Sequence, residues 1–396
     1  MKKHPDSTHL SEQTRAIING RSSKDHHGVV NTPVYRASTV LHPDVDAFEK
    51  RHDPANKNRV VYGLLGTPTT FDLETVVADL EGGHDAVLLP SGLAAISIAL
   101  ATFLRPGDHL LIADNVYWPN RIFCDEYLTN LGVSVEYYDP LIGGDIKALI
   151  RSTTKVIFLE SPGSLTFEVQ DIPAITAVAK AHGVTTILDN TWATPVFFKS
   201  FAHGVDVSIH AATKYLCGHS DVMMGIIVSA EHVSEKVRST HRLFGQTAAP
   251  DDTYSTLRST RTLITRLKSH EANAIALVEW FLGRDEVLQV LHPALPDHPG
   301  HAFWKRDFLG ASGLFGVVLK PKSRQCLLDM VNGMRLFGIG ASWGGFESLM
   351  IPAYPERHRT ATQWKTGGQL LRIHAGLEDI DDLKSDLEDG FVRFNT

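Results

Sequence analysis

Short apolar segments that alternate with helix-length segments constrain the fold of this 396-residue chain more than any other feature. They follow one another between residues 109 and 229 and read HLLIAD, VSVEYYD, KVIFLESP, TTILDNT, VSIHAAT and MMGIIVS. Continuously apolar strands separated by helices are typical of a mostly parallel sheet with helices on both faces. The pattern therefore predicts an α/β fold, in which ligands bind at the carboxyl ends of the strands.

Length and pattern divide the chain into three predicted parts. A chain of 396 residues is too long for one simple core. Residues 1–65 show little periodicity and are predicted to form an N-terminal arm, and residues 66–270 hold the parallel sheet. The later patterns EANAIALVEWFLG (271–283) and LLRIHAG (370–376) indicate a smaller α+β domain over residues 271–396.

Composition and charge exclude several classes of partner. A net charge of −7 argues against nucleic acid or an anionic membrane. The uncharged stretch 86–104 approaches the length of a membrane span, but the Pro-Ser-Gly sequence at 90–92 predicts a strand, a turn and a helix instead. Cys124, Cys217 and Cys326 form no CxxC motif and are typical of reduced thiols. We expect a cytoplasmic protein.

One lysine, Lys214, stands among the small and apolar residues of SIHAATKYLCG. Lysine is rarely buried without a partner, because removing an ammonium from water is costly. Lys214 therefore either reaches the surface or forms an imine with an aldehyde cofactor, a common use of a desolvated lysine. A pyridine aldehyde that carries a phosphate would also require an acid, a phosphate site, a flat group over the ring and an arginine for the substrate carboxylate.

The acid and the phosphate site have candidates at the ends of apolar segments. Asp189 ends TTILD and could keep the ring nitrogen protonated, although an aspartate in this place also caps turns. The turn that begins at Ser91 and Gly92 presents backbone N–H groups at a helix start, which is a natural phosphate site. The alternative is that the glycine is needed only for the geometry of the turn. The hydroxyl of Thr213 could bind the same phosphate; the alternative is that Thr213 is an ordinary strand threonine.

Two further residues complete the set. Tyr117 follows HLLIAD and could stack on the ring, or it lies at the edge of the core. Arg372 interrupts the strand pattern LLRIHAG, and its planar fork suits a carboxylate; the alternative is an ion pair with the acidic stretch 377–389.

The histidines of HPALPDHPGH have uneven spacing and neighbouring prolines, so they predict a surface loop, and we expect no metal site.

Motifs over nearly the whole chain carry a resemblance to a known family. GVVNTPVYRAST (28–39), LDNTWATPVFFK (188–199), AATKYLCGHSD (211–221), SWGGFES (342–348) and LLRIHAGLEDIDDL (370–383) are similar to the pyridoxal-phosphate-dependent enzymes of cysteine and methionine metabolism, above all to the branch that cleaves cystathionine. The resemblance implies an aminotransferase-like fold (PLP fold type I) and pyridoxal 5'-phosphate as cofactor. It also implies a homotetramer of two tight dimers, in which the arm reaches a neighbouring subunit.

The same resemblance implies β-elimination of L-cystathionine to homocysteine, pyruvate and ammonia, a step in methionine synthesis. Another carbon–sulfur lyase, such as a cysteine desulfhydrase or a cystathionine γ-lyase, remains an alternative, as does a γ-synthase. A non-catalytic protein that binds the cofactor is a further alternative from a different class.

The matching positions fall into three groups. Lys214, Asp189 and Tyr117 match the imine lysine, the ring-nitrogen acid and the stacking tyrosine. The phosphate turn, the adjoining threonine and a tyrosine donated by the neighbouring subunit complete the cofactor site: Ser91, Gly92, Leu93, Thr213 and Tyr62. The residues that match the substrate pocket are Ser342, Trp343, Arg372 and Tyr254.

One position departs from the family pattern. In YGLLGT, Leu64 stands where the family has an arginine that binds the phosphate across the subunit boundary. A hydrogen bond to a charged group contributes about 1.5–3 kcal/mol, so we expect cofactor affinity to be lower by about tenfold or more. Lys57 and Arg59 are the nearby cations that could replace it.

Overall fold

The computed structural model describes residues 9–21, 23–53 and 60–396, so Lys57 and Arg59 lie outside the described residues. A seven-stranded sheet is its centre, built from β1 (Asp85–Leu89), β2 (His109–Ala113), β3 (Ser134–Tyr138), β4 (Thr154–Glu160), β5 (Thr185–Asp189), β6 (Val207–His210) and β7 (Gly225–Ser229). The strand order is β3-β2-β4-β5-β6-β7-β1. The pairs from β3 to β6 are parallel, and β7 runs antiparallel to β6 and β1.

Helices pack around this sheet and extend through the described chain. They are α1 (Glu12–Ile18), α2 (Val45–Glu49), α3 (Pro68–Glu81), α4 (Gly92–Phe103), α5 (Trp118–Ile122), α6 (Ile172–His182), α7 (Thr194–Phe197), α8 (Glu231–Phe244), α9 (Pro250–Thr260), α10 (Leu263–Leu282), α11 (His301–Asp307), α12 (Arg324–Asn332) and α13 (Ile380–Asn395). Each of the six predicted apolar segments contains a strand, which confirms the mostly parallel sheet.

The uncharged stretch 86–104 folds as β1, a turn and α4, as its Pro-Ser-Gly interruption predicts. The Oγ of Ser91 accepts a hydrogen bond from the N–H of Ala94 at 3.1 Å and so caps α4. Most of α4 is buried, because an apolar helix on a buried sheet has little face left for water. None of the described helices has the length and apolar character needed to cross a bilayer.

A second, antiparallel sheet forms from β8 (Val287–Leu291), β9 (Leu314–Leu319), β10 (Leu349–Ala353) and β11 (Gln369–His374), in the order β10-β11-β9-β8. Apolar residues of α10, α12 and α13 pack with it in a separate hydrophobic cluster. β11 coincides with the predicted strand in LLRIHAG, whereas no strand pattern indicates β8 or β10. β10 is an edge strand that contains Pro352, which is where a sheet tolerates proline.

Candidate active site

Two carboxylates lie side by side where neighbouring parallel strands end. Glu160 is the last residue of β4 and Asp189 the last of β5, and the two are register partners in the sheet. Lys214 follows shortly after the end of β6, the next strand across. The carboxyl edge of the large sheet therefore gathers two acids and one amine.

The Lys214 amine is half-buried and held from the opposite side by the segment 340–348. Its Nζ donates a hydrogen bond to the Oγ of Ser342 at 2.7 Å and lies 5.1 Å from the centre of the Trp343 ring. Burial and the positive charge of Arg372 lower the pKa of Lys214 to about 8, although the negative charge of Asp189 opposes this. A substantial fraction of this amine is therefore neutral near pH 8.

Asp189 is buried, and its Oδ1 accepts a hydrogen bond from the N–H of Thr191 at 3.0 Å. Burial raises the pKa of Asp189, and the bonds from Thr191 together with the charges of His210 and Lys214 reduce that rise. A cation beside this carboxylate would therefore be strongly favoured, because it would stabilise the charged form that burial penalises.

The neighbouring carboxylate, Glu160, was missed by the sequence analysis. Its Oε2 accepts a hydrogen bond from the backbone N–H of Tyr117 at 2.6 Å, so it fixes the main chain of that residue. Burial and the charge of Asp189 raise the pKa of Glu160 well above its ordinary value. The signal was present in the sequence, since Glu160 ends KVIFLE as Asp189 ends TTILD.

Tyr117 precedes α5 and keeps 44% of its surface exposed, so its ring is accessible to a ligand. Burial of the hydroxyl and the charges of Glu160 and Asp189 raise the pKa of Tyr117, while Arg372 lowers it. The bond from its backbone N–H to Glu160, the register partner of Asp189, places Tyr117 beside the two acids.

The start of α4 supplies a compact turn beside the strand that leads to Lys214. A Cβ added to Gly92 would lie 2.5 Å from the Cβ of Ala211, so only glycine allows this approach. The turn leaves the first N–H groups of a twelve-residue helix at the site, a favourable position for a phosphate. The hydroxyl of Thr213 accepts from the N–H of Met224 at 2.9 Å, so the structure pairs it with the backbone of that residue.

Arg372 on β11 is buried and donates three hydrogen bonds to backbone carbonyls, at 2.9 Å to Gly340, 3.1 Å to Ala341 and 3.0 Å to Ser342. A guanidinium has five N–H groups, so two remain without a partner among the described residues. Burial lowers the pKa of Arg372 to about 10. No carboxylate of the described chain forms an ion pair with it, so the alternative of a salt bridge to residues 377–389 is wrong.

Two predicted residues are not brought into this constellation. Tyr62 is 47% exposed, pairs with Thr39 in an isolated bridge, and lines a cavity of about 240 Å³ together with Tyr35 and Leu64. Tyr254 lies on α9, and no hydrogen bond or ring contact within the described chain joins it to Lys214. Their predicted roles are not supported by contacts within one chain.

The histidine-rich segment differs from its prediction. His292 and His298 are buried rather than in a surface loop, and their Nδ1 atoms accept hydrogen bonds from the N–H groups of Ala294 and Gly300. Across the part of the chain that the structure describes, no group of three or more acidic, histidine or cysteine side chains could hold a metal ion.

Comparisons with known proteins identify the family. The model described as Cys/Met metabolism PLP-dependent enzyme matches residues 13–392. The chain is 49% identical to a protein of Rhizobium johnstonii named putative cystathionine beta-lyase, over 96% of this chain and 95% of that protein. It is 43% identical to the Escherichia coli cystathionine beta-lyase MetC, over 96% of this chain and 98% of the relative.

A solved structure is similar over nearly the same length. The crystal structure of cystathionine gamma-lyase from Lactobacillus plantarum, complexed with L-serine, matches with a TM-score of 0.88 and 28% identity, over 98% of this chain and 100% of that one. The chain belongs to the pyridoxal-phosphate-dependent enzymes of cysteine and methionine metabolism. Its fold is the α/β aminotransferase-like fold, PLP fold type I.

The residues present fit pyridoxal 5'-phosphate, the cofactor of this family. An aldehyde needs a nucleophilic amine, which burial provides at Lys214. A pyridinium nitrogen needs a buried carboxylate, which Asp189 provides. A phosphate needs backbone N–H groups without a side chain in the way, and Gly92 provides that space at the start of α4.

Proposed function

We propose that this protein cleaves L-cystathionine by β-elimination to homocysteine, pyruvate and ammonia. The observation that carries the proposal is the Lys214 amine, whose pKa burial lowers to about 8. The amine donates a hydrogen bond to Ser342, and the charges of Arg372 and Asp189 also act on its pKa. Such an amine suits proton removal near neutral pH. The cystathionine beta-lyase relatives at 49% and 43% identity support this substrate.

The cofactor would be held by residues at the edge of the large sheet. Lys214 would bind its aldehyde, Asp189 its ring nitrogen, and Tyr117 would stack on its ring. The phosphate would be bound by the turn at the start of α4 and its neighbours: Ser91, Gly92, Leu93, Thr213 and, from an adjoining subunit, Tyr62. When bound, pyridoxal phosphate supplies a pyridinium ring that accepts the electron pair released when the substrate Cα loses a proton.

The substrate would be bound by Arg372 and by the segment 340–348, which faces Lys214. The two free N–H groups of Arg372, together with Ser342, would hold the α-carboxylate of the substrate, since charge-assisted hydrogen bonds are the strong ones. Trp343 and Tyr254 are proposed to line the same pocket. Held in this way, the substrate presents its Cα to the Lys214 amine.

Proton transfer then follows from the state of Lys214. Once the substrate amine has taken the place of Lys214 at the cofactor aldehyde, Lys214 is a free, neutral amine and can remove the Cα proton. The Cβ–S bond breaks with its electron pair going to sulfur, and the sulfur receives a proton from Lys214 or Tyr117 and leaves as homocysteine. Water hydrolyses the remaining three-carbon fragment to pyruvate and ammonia.

A γ-elimination is the second candidate, because the Lactobacillus plantarum structure with a TM-score of 0.88 is a cystathionine gamma-lyase. The 28% identity to that protein is well below the 43% identity to the Escherichia coli β-lyase. The two reactions give different keto acids from the same substrate. Pyruvate indicates β-elimination, and 2-oxobutyrate indicates γ-elimination.

We further propose a cytoplasmic homotetramer of two tight dimers, with an arm (1–65), a cofactor domain (66–270) and a C-terminal domain (271–396). Apolar side chains on the arm support a subunit contact, since Leu41 is 90% and Val45 71% exposed. Isolated exposed apolar residues are common, but several on one segment favour a partner surface.

The test combines spectroscopy with product analysis. The purified protein loaded with pyridoxal phosphate is mixed with L-cystathionine, and its visible absorbance, pyruvate, 2-oxobutyrate and free thiol are measured together. We expect a visible band that changes with substrate while pyruvate and thiol accumulate in equal amounts. A protein that binds the cofactor but forms neither keto acid would instead be a non-catalytic binder.

A further inference from the structure

The segment 340–348 is held by two side chains of β11. Arg372 donates to the carbonyls of residues 340–342. His374, two residues further along β11 and so on the same face, accepts a hydrogen bond from the N–H of Gly344 at Nε2 (3.1 Å), and its Nδ1 lies 3.1 Å from the carbonyl oxygen of Glu347. A nitrogen that accepts and a nitrogen that donates define one state, the neutral imidazole with its proton on Nδ1.

Gly344 itself lies close to the backbone of Lys214. A Cβ added at Gly344 would come within 2.9 Å of the Tyr215 nitrogen and 3.0 Å of the Lys214 Cα. The φ of Gly344 is +84°, a conformation that favours glycine. The Gly344 backbone therefore packs against the backbone of Lys214 and Tyr215. Gly344 lies two residues after Ser342, whose Oγ accepts a hydrogen bond from the Lys214 amine.

The surroundings of His374 keep it in that state. The side chain is 1% exposed, and its ring contacts those of His270 on α10 and Tyr215 at centroid distances of 5.2 and 5.8 Å. Burial holds the pKa of His374 well below its ordinary value; the neighbouring His270, Arg372 and Lys214 act in the same direction, and the hydrogen bond to the Glu347 carbonyl opposes them. A second proton would also remove the acceptor that Gly344 needs.

We propose that His374 is a positioning residue that holds the Ser342–Trp343 pair against Lys214 by accepting the Gly344 N–H as a neutral imidazole. Arg372 anchors the start of the segment and His374 anchors its middle, so the part that touches the lysine lies between two fixed points. The effect of His374 on binding of the substrate carboxylate rests on the proposed function. The hydrogen bond between His374 and Gly344 does not depend on that function.

Two substitutions at this position separate the two hydrogen bonds. In His374→Gln, the side-chain oxygen reaches the place of Nε2 and can still accept from Gly344. In His374→Asn, the amide nitrogen takes the place of Nδ1 and can still donate to Glu347, but the Gly344 N–H loses its acceptor. His270→Asn is the matched control, because His270 is a buried histidine of the same cluster whose Nδ1 contacts the Ala375 carbonyl and not the segment.

The first readout is amide hydrogen exchange over residues 340–348, measured by mass spectrometry on the cofactor-loaded and the cofactor-free protein. We expect the Gly344 amide to be protected in the unmodified protein. Its exchange should become at least about tenfold faster in His374→Asn and change little in His374→Gln and His270→Asn. An unprotected Gly344 amide in the unmodified protein would overturn the proposal without any variant having to fold.

The second readout is steady-state kinetics with L-cystathionine. His374→Asn should raise KM about tenfold and lower kcat less, and His374→Gln should restore most of the KM. Equal KM values for His374→Asn and the His270→Asn control, or a His374→Gln variant as impaired as His374→Asn, would contradict the positioning role. Altered exchange together with an absence of any keto acid would mean that the proposed function fails while the contact stands.

Discussion

The two sides of the active site are built in different ways. At the edge of the large parallel sheet, Glu160, Asp189 and Lys214 are ionisable side chains whose pKa values burial and mutual charge displace. On the facing side, the segment 340–348 is held through its backbone by Arg372 and His374. Under the proposed function, we infer that the residues of the large sheet transfer protons and that the second sheet positions the substrate. Substitutions on the two sides should therefore change different kinetic constants.

The largest effect is expected at Lys214. A positioned general base contributes about 10²–10⁴-fold to the rate, so Lys214→Ala should lower kcat for pyruvate formation by at least that factor. Lys214→Arg is the matched control, since it keeps a cation at the position but has no amine that can be neutral at pH 8. If either variant keeps more than about a tenth of kcat, the large-sheet side does not hold the essential base.

A smaller effect, in a different constant, is expected at Arg372. Loss of its hydrogen bonds to a carboxylate costs about 1.5–3 kcal/mol, so Arg372→Ala should raise KM about tenfold to a hundredfold, with a smaller decrease in kcat. Arg372→Lys keeps the charge but not the fork, and we expect an intermediate KM. A decrease confined to kcat would show that Arg372 does not act by binding the substrate carboxylate.

Substitutions of Glu160 test whether its charge or its hydrogen bond to Tyr117 matters for activity. Burial raises the pKa of Glu160 and so favours its neutral form, and the neutral side chain of Glu160→Gln keeps an acceptor for the Tyr117 N–H. We expect kcat/KM to change less than about threefold in Glu160→Gln and to fall about tenfold in Glu160→Ala, where the N–H loses its partner. Equally impaired variants would show that the charge of Glu160, and not its hydrogen bond, is what matters.

The smallest effect concerns the arm. If Leu64 occupies the place of a phosphate-binding cation, Leu64→Arg should increase the affinity for pyridoxal phosphate by about tenfold, measured by fluorescence titration of the cofactor-free protein. Leu65→Arg, one residue away in the same short turn Gly63–Leu65, is the control for added charge. Unchanged affinity in Leu64→Arg would mean that another group already satisfies the phosphate.

The sequence allowed the large-sheet side of the site to be predicted, because one rule governs it. Ligands bind where buried parallel strands end at the carboxyl edge, and this rule selected Asp189, whereas Lys214 was selected as the one cation of an apolar stretch. The same rule applied to KVIFLE would have found Glu160. The rule works because these residues are placed by the strands that immediately precede them.

The facing side could not be predicted in the same detail, because its geometry depends on distant pairings. Nothing in LLRIHAG shows that Arg372 donates to three carbonyls some thirty residues earlier in the chain. β10, the strand beside β11, contains a proline and lacks a clear strand pattern. His374 carried no signal, since a single histidine in a strand is ordinarily a core residue.

The most direct test of the account is the pKa of Lys214 itself. In the cofactor-free protein, trace acetylation from about pH 6 to about pH 11, with quantification of the modified Lys214 peptide by mass spectrometry, gives the midpoint at which the amine becomes neutral. We expect a midpoint of about 8, set by burial and by Arg372. A midpoint near the ordinary lysine value of about 10.4 would contradict it, because Lys214 would then be a solvated ammonium and not the base of the reaction.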